Sequence, residues 1–120
     1  MTKEDRNLLV QDLCSRLPYG VKVLYKHSVF DIDYISSMYE EVHLDIVDNY
    51  TIGISEVKPY LFPMSSMTEE QYKEYWELEH SGNMEHLSLP LLEWLNKNHF
   101  DYRDLIPKGL AIDCTNLNIY

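Results

Sequence analysis

The sequence predicts an α+β fold, and three observations predict it. A capped run with leucines at helical spacing opens the chain, four segments of alternating apolar and polar residues follow, and helical spacing returns after residue 68. The expected architecture is an N-terminal helix, a curled antiparallel four-stranded meander, two C-terminal helices and a C-terminal extended segment. No repeat, low-complexity tract or linker interrupts residues 1–120, so one domain is expected.

The first helix is expected over residues 3–16. Thr2 can cap it, Glu4 and Asp5 sit in the first turn where the helix dipole favours anions, and Leu9, Leu13 and Leu17 form an apolar ridge. Arg16 falls in the last turn, and Pro18 with Gly20 stops the helix.

The period then changes to two. "VKVLY" (21–25) alternates, and "VFDIDYI" (29–35) sets Phe30, Ile32 and Tyr34 on one face against Asp31 and Asp33 on the other. "EVHLDIV" (41–47) sends Val42, Leu44 and Ile46 inward and Glu41, His43 and Asp45 outward, and "YTIGISEV" (50–57) aligns Tyr50, Ile52 and Ile54. Four strands in sequence make an antiparallel meander the simplest topology. For the last hairpin, a three-residue loop Val47-Asp48-Asn49 pairs Leu44 with Ile52 and Val42 with Ile54, keeping the apolar residues on one face.

The connection "VKPYLFPMSSMTEEQYKEYW" (57–76) is read as a strand-to-helix corner. Pro59 and Pro63 hold it extended and withhold ladder donors as it leaves the sheet. Thr68 with Gln71, or Ser66 with Glu69, can form a capping box, and Met67 can staple onto Tyr72. Tyr72, Tyr75, Trp76 and Glu79 repeat at helical spacing until "HSGN" (80–83). A third helix starts at Ser88 or Leu89 with Pro90 in its first turn. A short helical turn is expected in "DYRDLIP" (101–107). "GLAIDCTNLNIY" (109–120) is apolar enough to be a closing strand or a packed extended tail.

Charge narrows the function classes. Twenty Asp and Glu face ten Lys and Arg, a formal charge of −10 with a pI near 4.7. Phosphate backbones and anionic lipid surfaces are held by Lys and Arg, so neither direct nucleic-acid binding nor membrane binding is expected. A basic protein partner is favoured electrostatically. With no apolar signal core in the first residues and two widely spaced cysteines, Cys14 and Cys114, the expectation is a cytoplasmic protein with reduced thiols.

No residue pattern specifies catalysis. The histidines and cysteines lack zinc-ligand spacing, the four glycines make no phosphate loop, and no serine sits in a nucleophile elbow. No metal, cofactor or catalytic residue is therefore assigned. Asp31 and Asp33, about 7 Å apart along an ideal strand, could share a divalent cation, although a solvated strand edge explains them as well. The Glu41/His43/Asp45 row is the one polar cluster suited to a base or a ligand sensor.

Two segments, "EVKPYLFPMSSMTEEQ" (56–71) and "WLNKNHFDYRDLIPKGLAID" (94–113), together with "LCSRLPYGVKV" (13–23) and "LNIY" (117–120), resemble a family of small uncharacterised proteins. That family comes from Bacteroides-type gut bacteria and their phages and mobile elements, and it usually carries glycine where this chain has Asp104. The resemblance implies an accessory protein of a mobile genome and carries no catalytic residues over.

The function expected from these readings is non-enzymatic protein–protein binding, in its sharpest form an acidic anti-defence inhibitor of a nucleic-acid-binding host protein. Tyr60, Phe62, Met64, Met67, Tyr72 and Trp76 are the candidate interaction residues, because Tyr and Trp dominate interface hot spots. An enzyme or sensor built on the Glu41/His43/Asp45 face, and a homo-oligomeric scaffold, are the alternatives.

Overall fold

The computed structural model describes residues 1–45, 51–80 and 89–120. Helix α1 spans Lys3–Arg16 and begins as its sequence requires: Thr2 Oγ1 accepts the Asp5 N–H at 3.1 Å, and the Asp5 carboxylate accepts the Thr2 N–H at 3.4 Å. Leu9 and Leu13 are fully buried and Leu17 half-buried. A single 3₁₀ turn, Leu17–Tyr19, leads to Gly20 at φ 72, a left-handed conformation that glycine adopts without a Cβ clash.

The α+β class is correct, but the sheet is larger than expected. Among the described residues it has seven strands and is mixed: β1 (Lys22–Tyr25), β2 (Ser28–Ser36), β3 (Glu41–Leu44), β4 (Thr51–Gly53), β5 (Lys58–Pro63), β6 (Phe100–Asp101) and β7 (Ile112–Asp113). Strands β1 to β4 are antiparallel neighbours in chain order. Lys26 and His27 form the two-residue β1–β2 turn with φ 46 and 71, the paired left-handed values of a type I′ hairpin.

Two sequence expectations fail within these strands. Strand β2 carries a bulge: Ile32 pairs with Leu44 but Tyr34 pairs with His43, so Asp33 is the extra residue. The bulge inverts the alternation beyond it. Phe30, Ile32 and Ile35 pack on the core, while Tyr34 turns outward. In the β3–β4 ladder Val42 pairs with Ile52 rather than with Ile54. A two-residue slip preserves which side chains share a face, which is why the pattern alone did not exclude it. The Val47-Asp48-Asn49 loop lies outside the described residues, as do residues 81–83 of the "HSGN" stop. After Gly53 the chain leaves the ladder in a 3₁₀ turn, Ile54–Glu56, whose Glu56 carboxylate accepts the Gly53 N–H at 3.2 Å.

The largest correction concerns "KPYLFP". It does not leave the sheet but forms β5, paired antiparallel with β1 and parallel with both β6 and β7. Backbone groups of neighbouring strand residues point to opposite edges. Phe62 N–H reaches the His99 carbonyl at 2.8 Å, whereas the Leu61 carbonyl accepts the Cys114 N–H at 2.9 Å, so β6 and β7 lie on opposite edges of β5. Pro59 and Pro63 share Leu61's parity and remove donors only from the β7 edge. On the other edge, where the β1 ladder stops, the Tyr120 hydroxyl accepts the Lys22 N–H at 2.9 Å and donates to the Tyr60 carbonyl at 2.8 Å. The expected C-terminal extended segment is thus a paired strand at residues 112–113 and a side-chain bridge at Tyr120.

Helices α2 (Glu69–Glu79) and α3 (Leu89–Lys97) follow the sequence reading closely. Thr68 and Gln71 form the capping box; Ser66 instead donates to the Pro63 carbonyl. The expected helical turn in 101–107 is replaced by hydrogen-bonded turns in which the buried Asp101 carboxylate accepts the Leu105 and Ile106 N–H groups. One core packs α1 against the sheet through Leu9, Leu13, Val23, Leu44 and Leu61. A second core of Leu91, Leu95 and Phe100 lies beneath α2 and α3.

Candidate functional site

The predicted interaction residues divide by burial. Tyr60 is buried in β5 and offers no contact surface. Phe62, Met64 and Met67 are half-buried against the second core. Tyr72 and Trp76 are exposed, at 59% and 51%. They sit one helical turn apart on α2, so both rings project from the same flank. Trp76 stacks on His80 at 4.2 Å, and Tyr72 tilts against Tyr75 at 6.4 Å. Met64, Ser65, Met67, Thr68, Glu69 and Tyr72 line a shallow depression of about 490 Å³ beside them. Met67 and Tyr72 therefore share a surface, the placement a hydrophobic staple requires.

The charge of α2 as a whole is negative. Helix α2 carries Glu69, Glu70, Glu74, Glu77 and Glu79 against one cation, Lys73. At 100° per residue, the half-buried Tyr75 and Leu78 divide the helix into two flanks, with Tyr72 and Trp76 on one and Glu74 and Glu77 on the other. The second flank faces α3 across an open cleft of about 580 Å³ lined by Glu74, Glu77, Leu78, Trp94, Lys97 and Asn98. Trp94 donates its indole N–H to Glu74 at 3.0 Å and stacks on Phe100 at 5.5 Å. Sequence reasoning did not assign Trp94 to this cleft, because the cleft depends on how two helices sit together.

Of the Glu41/His43/Asp45 row, Asp45 is exposed and Glu41 half-buried, but His43 is covered. His43 is only 6% exposed, and its Nδ1 lies 3.1 Å from Asp33 Oδ2, with the ring stacked on Tyr34 at 4.6 Å. The carboxylate beside it comes from the bulge, not from its own strand. Asp31 is taken by Lys22, whose Nζ lies 2.8 Å from it, so the two β2 aspartates have different partners. Among the described residues no group of three acidic, histidine or cysteine side chains is placed to hold a metal ion.

A polar cluster missed by the sequence reading ties α1 to the second core. Arg16 is fully buried; its Nε and Nη2 meet the Asp12 carboxylate at 2.9 and 3.1 Å, and Nη2 also donates to the Phe100 carbonyl at 2.6 Å. Arg103 adds a second guanidinium to Asp12 at 2.9 Å and lies over Tyr102. The signal was present as an i,i+4 Asp–Arg pair, but its burial was not. Nearby, His99 is buried with its ring stacked on Tyr120 at 3.8 Å. Burial foremost, then the charges of Arg16 and Lys22, hold its pKa down at about 4.

Cys14 is exposed, with partial desolvation raising its pKa, while Cys114 is buried, and burial with the neighbouring Asp113 charge pushes it up to about 11. Among the described residues no helix is long and apolar enough to cross a membrane. Met38 and Tyr39, at 82% and 71% exposure, crown the β2–β3 turn, which Arg6 anchors to α1 through Glu40 at 2.6 Å.

No known protein family, curated protein or solved structure matches this chain.

Proposed function

We propose that this chain acts by protein–protein binding rather than by catalysis, and that the partner docks on the Tyr72/Trp76 flank of α2 together with Met64 and Met67 just before it. The observation that carries this reading is the pair of exposed rings on one helical flank, set in a segment rich in glutamate. Large aromatic side chains left in water are the residues that yield most when a partner desolvates them. The glutamates select a basic protein surface and speed its approach. A second copy of the chain carries the same negative charge, so the face suits a foreign partner better than itself.

The sharper form of the proposal is an acidic inhibitor from a phage or mobile element that occupies the nucleic-acid-binding groove of a host protein. The net charge of −10 and the resemblance of residues 56–71 and 94–113 to mobile-element proteins support it. The test compares the wild-type chain with a Tyr72→Ala/Trp76→Ala variant in affinity capture from the host at low and high salt. A basic nucleic-acid-binding protein should be recovered by the wild type at low salt, lost at high salt, and lost with the variant. Recovery that is unaffected by the double substitution would refute the assignment of this face.

A further inference from the structure

We propose that the cleft between α2 and α3 is a receptor for an arginine side chain. It lies on the flank of α2 opposite Tyr72 and Trp76, so it does not depend on the face assigned above. Its walls supply the three things a guanidinium needs. The Trp94 indole, fixed by its bond to Glu74 and its stack on Phe100, gives an aromatic surface. Leu78 gives an apolar patch for the methylene stem. The acceptors are the Glu74 and Glu77 carboxylates and the Asn98 side-chain carbonyl, whose amide group already donates to the Trp94 carbonyl at 2.9 Å. Among the described residues neither Glu77 nor the Asn98 carbonyl oxygen has a hydrogen-bond partner within the chain.

Arginine fits this set better than lysine. A guanidinium stacks flat on an indole while directing N–H groups in its plane toward carboxylates, whereas an ammonium is a strongly hydrated point charge. Glu70 lies one turn before Glu74 on the same flank, so the approach to the cleft is acidic on the α2 side. Among the described residues Lys97, on the α3 side, is the one lining residue of the wrong sign. It sets a limit on affinity, and its removal is a diagnostic.

The probes are three blocked pentapeptides, Gly-Gly-Arg-Gly-Gly and its lysine and citrulline counterparts, titrated into the ¹⁵N-labelled protein at low salt. Only two indole N–H signals exist, from Trp76 and Trp94, and Trp76→Phe assigns them. The arginine peptide should move the Trp94 signal and saturate, with the lysine peptide about threefold to tenfold weaker and the citrulline peptide inactive. Glu77→Gln should weaken binding about two- to fivefold and Lys97→Gln should strengthen it by a similar factor. Binding should survive Tyr72→Ala/Trp76→Ala, which separates this site from the proposed partner face. Equal binding of the arginine and lysine peptides, or a Trp94 signal unmoved by the arginine peptide, would overturn the assignment. Partner capture unaffected by Tyr72→Ala/Trp76→Ala, with peptide binding retained, would count against the α2 outer face alone.

Discussion

Replacing Asp12 by Asn should be the most damaging single polar substitution in this protein. The Asp12 carboxylate is fully buried and answers two guanidiniums, Arg16 through two contacts and Arg103 through one. Removing its charge leaves a buried Arg16 with no anionic partner, only two neutral acceptors: the introduced amide oxygen and the Phe100 carbonyl. Breaking a buried ion pair from one side costs about 3–5 kcal/mol, because the remaining ion keeps its desolvation penalty. For a 120-residue chain at ~2.1 cal/mol/K per residue, each kcal/mol moves Tm by about 4 °C, so the expected loss is about 12–20 °C. Arg16→Met should cost less, about 1–3 kcal/mol, since Asp12 keeps Arg103 and only the Phe100 carbonyl is stranded. Urea unfolding followed by circular dichroism, with unchanged m-values, measures both. A loss below ~1 kcal/mol for Asp12→Asn, or a larger loss for Arg16→Met, would refute the claim that the buried charge balance holds α1 to the second core.

Other consequences are open to direct measurement. The folded-state pKa of His99 is about 4 against an ordinary 6.5, so the unfolded chain takes up this proton first; stability should be complete above pH 6.5 and fall as pH drops toward 4. His99→Asn, which tolerates the φ of 60 there, should flatten that part of the pH–stability curve. Tyr120→Phe deletes the hydroxyl between Lys22 and Tyr60 and should cost about 1–3 kcal/mol. Faster hydrogen exchange of the Lys22 amide would locate the effect, and unchanged exchange would show the bridge to be dispensable. At Gly20 an added Cβ meets nothing within 4 Å, so Gly20→Ala should cost only the left-handed backbone penalty, about 1–2 kcal/mol by thermal unfolding.

The helices were legible because their determinants are local. Thr2 with Asp5 and Thr68 with Gln71 cap α1 and α2 through side chains three residues away, and leucine or aromatic spacing marks the buried faces. Strands β1 to β4 were legible in order and in alternation for the same reason. The register of β3 on β4 was not, since a slip of two residues leaves the apolar face intact. The Asp33 bulge left no mark in the sequence, yet it turned Tyr34 outward and set a carboxylate against His43. Of the candidate interaction residues, helical spacing marked Tyr72 and Trp76 but could not say which side of α2 the core would cover.

What the sequence determined by itself was the three helices, the order of the first four strands, the acidic balance and the absence of motif-borne chemistry, all properties fixed within a few residues or by composition. The tertiary structure decided the fate of "KPYLFP", because a strand rich in proline becomes central only if its remaining donors face a neighbour, and that neighbour comes from residues 99–114. It also decided that Arg16 is a buried ion rather than a helix-end charge, and that Trp94 and Glu77 border one cleft. Each of these rests on contacts between residues far apart in the chain, where hydrophobic spacing carries no information about which surfaces will meet.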